Sequence, residues 1–179
     1  MKKSGMLLIL LLGAALLLAG CGQEEAPGNS APAPLKVGLV VDTAGLGDGG
    51  FNDAAAAGLN KAGEDFSADI ETELIEPKEE EALKNGLRTL GQDKTDLIIA
   101  MGYYSAEALA KVAGEYPESR FVLIDHNLPD LQAGSNITCV TFKDNEGSFL
   151  AGAAAALKSR TGKIGFIGGV DIPVIHNFE

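Results

Sequence analysis

The sequence predicts an α/β fold in which a parallel sheet is covered by helices on both faces. Short apolar runs alternate with longer segments whose apolar residues recur at helical spacing. Continuous apolar runs of this length are typical of strands buried on both sides, and this alternation of elements favours a parallel sheet. The predicted strands are 36–41, 70–75, 97–101, 121–124, 136–142 and 164–167, and the predicted helices are 52–64, 79–90, 106–116 and 149–158.

The helices are predicted from apolar residues that recur every three or four positions. The first is alanine-rich, with Ala55, Leu59 and Ala62 on one face. The second has a matching leucine face, and its acidic run 79–81 lies in the first turn, where negative charge favours the helix dipole. We therefore interpret that acidic run as a solvated face.

The N-terminus has the features of a secretion signal. Lys2 and Lys3 precede an apolar run at 6–19, which is too short to span a bilayer comfortably. The tetrad Leu-Ala-Gly-Cys then ends at Cys21 and resembles the bacterial lipoprotein box, in which the cysteine is lipidated and becomes the first residue. We predict a signal peptide at 1–20, with a chance cysteine after a plain leader as the alternative.

The mature chain is predicted to be acidic and attached to the membrane by lipid. Without the leader its formal charge is 12 − 25 = −13, which argues against a nucleic-acid partner. Stable attachment would rest on two or more acyl chains at Cys21. The proline-containing stretch 21–34 is predicted to be a flexible tether. Cys139 is then the remaining cysteine, and we interpret it as a small core residue rather than a metal ligand.

Two predicted strands end in an aspartate, Asp42 and Asp125. In an open parallel sheet, ligands bind beyond the carboxyl ends of the strands, where the strand order reverses. With a 2-1-3-4-5 order that point lies between the first and third strands, so both carboxylates would flank one crevice. The alternative is that each aspartate caps the turn that follows it.

A glycine-rich segment, 45–50, follows the first strand and formally matches the dinucleotide motif G-x-G-x-x-G. The negative charge of Asp48 and the bulky Phe51 at the start of the next helix count against a bound pyrophosphate. Phe51 could instead stack on a flat ring, while Asn52 offers both a donor and an acceptor. The alternative for Phe51 is a hydrophobic staple or a core residue.

Catalysis has little support in the sequence. His126 follows Asp125, but no serine or cysteine is placed beside it as a nucleophile, and Ser105 is better interpreted as a helix cap. We find no metal-ligand cluster and no feature that calls for a cofactor. A binding protein is therefore favoured over an enzyme.

Three segments resemble one known family. They are DTAGLGDGGFND (42–53), FKDNEGSFLAG (142–152) and KIGFIGG followed by DIPVI (163–175). Together with the lipoprotein box, they are similar to the basic membrane protein family, the PnrA-like purine-nucleoside receptors of ABC importers. The resemblance implies a periplasmic-binding-protein fold of type I, in which two α/β lobes close on a ligand. Residues 35–143 would form lobe one and 144–179 the start of lobe two.

The resemblance also implies roles for individual residues. Phe51 would stack on the purine base, and Asp42, Asn52 and Asp125 would form hydrogen bonds with it. Gly50 replaces the serine that is commoner in the family, so a hydroxyl contact is lost. The implied partners are a purine nucleoside and an ABC permease in the membrane.

The resemblance further implies that part of the site lies outside this sequence. The second stacking aromatic, and the acid and lysine that hold the ribose, would lie beyond Glu179. We therefore expect weak binding and marginal stability from these residues alone.

Other functions than nucleoside binding remain as alternatives. They are the same scaffold with a sugar or another solute, a signalling receptor, a dinucleotide-dependent enzyme that uses the 45–50 loop, and a structural or adhesive surface protein.

Overall fold

The computed structural model describes residues 32–47 and 49–179, and Ala33–Glu179 form one compact unit. The predicted signal peptide, Cys21, most of the tether and Asp48 lie outside the described residues. The strands are β1 (Leu35–Val40), β2 (Ile70–Ile75), β3 (Leu97–Met101), β4 (Arg120–Ile124) and β5 (Ile137–Val140). The helices are α1 (Phe51–Asp65), α2 (Glu80–Gln92), α3 (Ala106–Glu115), α4 (Asp144–Lys158) and α5 (Pro173–His176), with a 3₁₀ turn at Tyr103–Ser105.

The five strands form one parallel sheet in the order β2-β1-β3-β4-β5. The predicted crevice between the first and third strands rests on this strand order. Strand β1 pairs with both β2 and β3, so that Leu39 lies between Leu74 and Ile99. The direction of chain travel across the sheet reverses between β1 and β3, and their carboxyl ends lie at the same edge.

Helices α2 and α3 cover one face of the sheet and form the larger core. Their buried leucines, among them Leu87 and Leu109, pack with Ile98, Phe121 and Leu123 from the strands. All five side chains are at most 1% exposed. Burial of a side chain of this size contributes about 1.5–3 kcal/mol relative to leaving it in water, so this cluster is the main source of stability.

Helix α1 covers only part of the other face. Leu59 on α1 packs with Val37, Leu39, Val41 and Met101 in a second, smaller cluster. Beside α1 an open groove of about 520 Å³ runs over the strands, and its lining is entirely apolar. The groove extends from Ile70 and Ala62 at one end to Phe51 and Phe142 at the other.

Residues 144–179 differ from the rest because none of their side chains is buried. Helix α4 exposes Phe149, Leu150 and Leu157. The predicted strand at 164–167 is wrong, since these residues belong to no strand, and Ile167 is 96% exposed. A strand needs a neighbour for its backbone hydrogen bonds, and none of the described residues provides one here.

Several predicted element ends also need correction. Helix α4 begins at Asp144 rather than at 149, because its acidic first turn extends the helix toward the N-terminus. Ile172 occupies the cap position of α5, and the carboxylate of Asp171 contacts the His176 ring. Pro173 is at the first helical position, where its fixed φ suits the start of a helix.

Candidate functional site

The candidate site lies at the carboxyl edge of the sheet, around the loop that joins β1 to α1. Asp42 follows β1 after one residue, and Phe51 and Asn52 open α1. Asp125 directly follows β4. Because the strands are parallel, the turns after β1, β3 and β4 all lie at this edge, which is where α/β proteins of this type bind ligands.

Asp42 and Asn52 are held together by hydrogen bonds. The side-chain amide of Asn52 donates to Asp42 Oδ1 over 2.7 Å, and the Asp42 backbone N–H donates to Asn52 Oδ1 over 3.3 Å. The Ala44 N–H also donates to Asp42 Oδ1. Asp42 Oδ2 has no hydrogen-bond partner among the described residues, so this oxygen is available to a ligand.

Asn52 is far less accessible than a ligand-contacting residue would need to be. It is 2% exposed, and its amide group also donates to the carbonyl of Gly45 over 2.9 Å. Both donors of its amide are therefore used within the protein. Direct contact of Asn52 with a ligand stays a prediction, and the geometry favours a role in holding Asp42 and the loop.

Phe51 is the first residue of α1 and is 37% exposed. Its ring lies close to Gly102, where an added β-carbon would be 3.5 Å from the ring. Gly102 has a φ of +74°, a conformation that glycine adopts without strain. Phe51 also lines one end of the apolar groove beside α1, so one part of its surface contributes to that face of the sheet.

Asp125 occupies a strained and partly buried position. Its φ is +61°, in the left-handed region that aspartate tolerates better than most residues, and its N–H donates to the carbonyl of Val140 over 2.7 Å. Burial, together with the nearby carboxylate of Asp144, raises the pKa of Asp125, while His126 lowers it. Backbone strain at a carboxylate beyond a strand end is the kind of outlier found at functional sites.

The cavity around Asp125 contains an aromatic residue, Tyr103, that is not among the predicted site residues. Tyr103, His126 and Asp144 line this cavity of about 440 Å³ together with Asp125. The Tyr103 and His126 rings meet edge to face with centroids 5.1 Å apart. Tyr103 follows Gly102, the first residue after β3, and this position beyond the carboxyl end of a strand is the sequence signal for it.

Ser105 has a different role from the predicted helix cap. It stands at the cap position of α3, but its buried hydroxyl donates to the carbonyl of Met101 over 2.7 Å. It is therefore used to hold the turn after β3.

The glycine loop is occupied by the protein's own carboxylates. Asp53 Oδ1 accepts from the N–H of Gly47 over 2.9 Å, and Asp53 Oδ2 accepts from the N–H of Gly49. Glu76 Oε1 accepts from the N–H of Leu46 over 3.2 Å. These are the backbone donors that a phosphate would need, so the arrangement counts against the dinucleotide alternative.

The predicted site residues are thus only partly brought together. Asp42 and Asn52 are in direct contact, and Phe51 neighbours them on the helix. Asp125 lines a separate cavity whose lining residues differ from those of the groove at Phe51. Within the part of the chain that the structure describes, no cluster of metal-ligating side chains is found, and no helix combines the length and apolarity that crossing a membrane requires.

Comparison with known proteins identifies the family. The model of the family described as "ABC transporter substrate-binding protein PnrA-like" matches residues 35–179. The chain belongs to this family. The resemblance seen in the sequence is therefore confirmed, and this is a family of solute-binding proteins of ABC transporters.

Curated relatives agree with this assignment. The chain is 33% identical over 172 residues to the "ABC transporter nucleoside-binding protein BmpA" of Lactococcus lactis, covering 94% of this chain and 48% of that protein. It is 31% identical over 184 residues to an "Uncharacterized lipoprotein" of Pyrococcus abyssi, covering 100% of this chain and 45% of the relative. The chain spans about half the length of the curated relatives it matches.

A solved structure supports the fold. The crystal structure of an ABC transporter solute-binding protein from Aeropyrum pernix K1 matches with a TM-score of 0.66 and 30% identity, over 81% of this chain and 40% of the other. The predicted fold class, an α/β architecture like that of periplasmic binding proteins, is confirmed. The boundary between lobes at residues 143 and 144 stays a prediction.

Proposed function

We propose that this protein binds a purine nucleoside outside the cytoplasm and delivers it to an ABC permease in the membrane. The observation that carries the proposal is the position of Asp42 and Phe51 at the two ends of the loop between β1 and α1, at the carboxyl edge of the sheet. Phe51 offers an aromatic surface to a flat base, and Asp42 has one carboxylate oxygen without a partner among the described residues. The nucleoside-binding name of a relative that is 33% identical supports the same ligand class.

In the proposed complex, an aromatic ring contacts the face of the base and carboxylates contact its edge. The Phe51 ring stacks on the face of the purine, a contact that contributes about 1–3 kcal/mol for a base on an aromatic side chain. Asp42 Oδ2 and Asp125 accept hydrogen bonds from N–H groups at the edge of the base, since ionised carboxylates are acceptors only. Asn52 does not contact the base in this proposal; its hydrogen bonds hold the Asp42 carboxylate in place.

We propose that the protein is a lipoprotein held at the outer face of the membrane by acyl chains on Cys21. The Leu-Ala-Gly-Cys tetrad and the lipoprotein name of a relative support this attachment. Cys21→Ser would move the protein from the membrane fraction to the soluble extracytoplasmic fraction. Equal membrane retention of both forms would contradict lipid anchoring.

The function is tested by calorimetric titration of guanosine, inosine, adenosine and ribose into the complete mature protein. We expect heat of binding with one or more nucleosides and none with ribose alone, because the base supplies the stacking surface. The absence of any heat of binding with all of the nucleosides would overturn the proposed ligand. Binding of ribose or another sugar in their place would favour the alternative solute on the same scaffold.

A further inference from the structure

The loop between β1 and α1 is the most glycine-rich connection of the described sheet. Three of its glycines, Gly45, Gly47 and Gly49, have positive φ values of +77°, +109° and +66°. Glycine has more conformational freedom to lose than any other residue, so a loop of this composition does not hold one shape by itself. Both ends of the loop carry proposed ligand contacts, Asp42 before it and Phe51 after it.

Side chains from outside the glycine segment fix this loop. Both carboxylate oxygens of Asp53 are used, one by the N–H of Gly47 and the other by the N–H of Gly49. Glu76, which follows β2, accepts from the N–H of Leu46 and is itself paired with Lys78. Asp53 is thus the residue that holds two backbone groups of the loop at once, and it does so from the first turn of α1.

We infer that Asp53 is a positioning residue for ligand binding, which pre-organises the glycine loop so that Asp42 and Phe51 face the ligand together. This role needs no contact between Asp53 and the ligand, since each of its oxygens accepts a hydrogen bond from a backbone N–H of the loop. Without it the loop samples more conformations in the free protein, and binding has to order them again. This inference rests on the proposed nucleoside-binding function.

The test compares Asp53→Ala, Asp53→Asn and the control Glu64→Gln in the complete mature protein, with guanosine and inosine as ligands. Glu64 is an exposed acid on the same helix, so its substitution removes the same charge without touching the loop. We expect the dissociation constant to rise about tenfold for Asp53→Ala, less for Asp53→Asn, which keeps one acceptor, and to stay within about twofold for the control.

Chemical rescue separates positioning from a general effect on the helix. Formate supplies a carboxylate that fits the two N–H groups freed in Asp53→Ala. Excess sodium formate is expected to restore most of the lost affinity of this variant and to leave the wild type and Glu64→Gln unchanged, with sodium chloride as the ionic-strength control. An unchanged affinity in Asp53→Ala, or a loss that formate and chloride affect equally, would overturn the inference.

Amide hydrogen exchange gives a reading that does not depend on the ligand. In the wild type the N–H groups of Gly47 and Gly49 are expected to exchange more slowly than in Asp53→Ala, while amides of β1 and β3 stay equally protected in both proteins. If the wild type binds no nucleoside, the proposed function fails and this measurement still tests Asp53. Equal exchange of the loop amides in both proteins would show that Asp53 does not hold the loop.

Discussion

Residues 35–142 and residues 144–179 have similar apolar content but very different environments. In the first region the leucines of α2 and α3 lie against a five-stranded sheet and are almost completely buried. In the second, α4 exposes Phe149 and Leu157 and buries no side chain. All three helices are predicted from the sequence, although α4 begins earlier than expected, so a helical apolar pattern is enough to predict the element but not its packing. The buried core and the four predicted site residues belong to the first region, while Asp144 of the second region also lines the cavity at Asp125.

Truncation of one leucine in each region should give the largest difference in the free energy of unfolding. Leu87→Ala is expected to lower the free energy of unfolding by about 2–5 kcal/mol, because it leaves a cavity in a closed core. Leu157→Ala, at a position 87% exposed, should change it by no more than about 0.5 kcal/mol. Urea denaturation of residues 21–179 followed by circular dichroism measures both. A larger loss for Leu157→Ala would mean that α4 is packed in solution.

Asn136 provides a second test of what stabilises the first region. Its side-chain amide lies within hydrogen-bond distance of the carbonyls of Ala113, Tyr116 and Ser119, at the end of α3 and in the turn that follows. Asn136→Ala leaves these acceptors without the amide and should cost about 1–3 kcal/mol. Asn145→Ala, in exposed α4, is the matched control in the same denaturation experiment. Equal stability of the two variants would contradict this role of Asn136.

Titration of Asp125 should change the free energy of unfolding less than the Leu87 and Asn136 substitutions do. Because its folded-state pKa is raised, its contribution to stability is full below the unfolded value of about 3.9 and is lost as the pH rises through the folded-state pKa. Asp125→Asn, which also tolerates the left-handed conformation, should therefore melt slightly higher than the wild type at neutral pH.

Folding favours the protonated form of Asp125, whereas ligand binding should favour the ionised form. The ionised carboxylate is the acceptor, so nucleoside affinity should fall as the pH is lowered toward its raised pKa, and Asp125→Asn should remove that part of the pH dependence. Asp130→Asn, in the exposed loop that follows, is the control. Calorimetric titrations between about pH 7.5 and about pH 4 measure the slope. The same slope in Asp125→Asn and in the wild type would exclude Asp125 as the titrating group.

The sequence predicted the sheet well because its signals are local. Buried strands and helix faces carry regular apolar spacing, and the strand order then places Asp42 and Asp125 at one edge. The predicted strand at 164–167 failed because pairing requires a neighbour that apolar spacing cannot reveal. The same limit explains why α4 was correctly predicted as a helix although none of its apolar side chains is buried in the described structure.

The details of the site depended on contacts that spacing does not encode. Asn52 has the right chemistry for a ligand contact, but only the fold shows that its amide is buried against Asp42 and Gly45. The glycine motif is visible in the sequence. The hydrogen bonds from its backbone N–H groups to Asp53 depend on the path of the loop and are not. Tyr103 is marked in the sequence only by its position just after β3, and its place beside Asp125 depends on the fold.

In the proposed function, the aromatic surface of Phe51 at the carboxyl edge of the sheet holds the ligand. The most direct measurement is calorimetric titration of guanosine and inosine into wild type, Phe51→Ala and Phe66→Ala of the complete mature protein. Phe66 is an exposed aromatic residue just past the opposite end of α1 and serves as the matched control. We expect a loss of affinity on the order of tenfold or more for Phe51→Ala and little change for Phe66→Ala. Equal nucleoside affinity in all three proteins would contradict it.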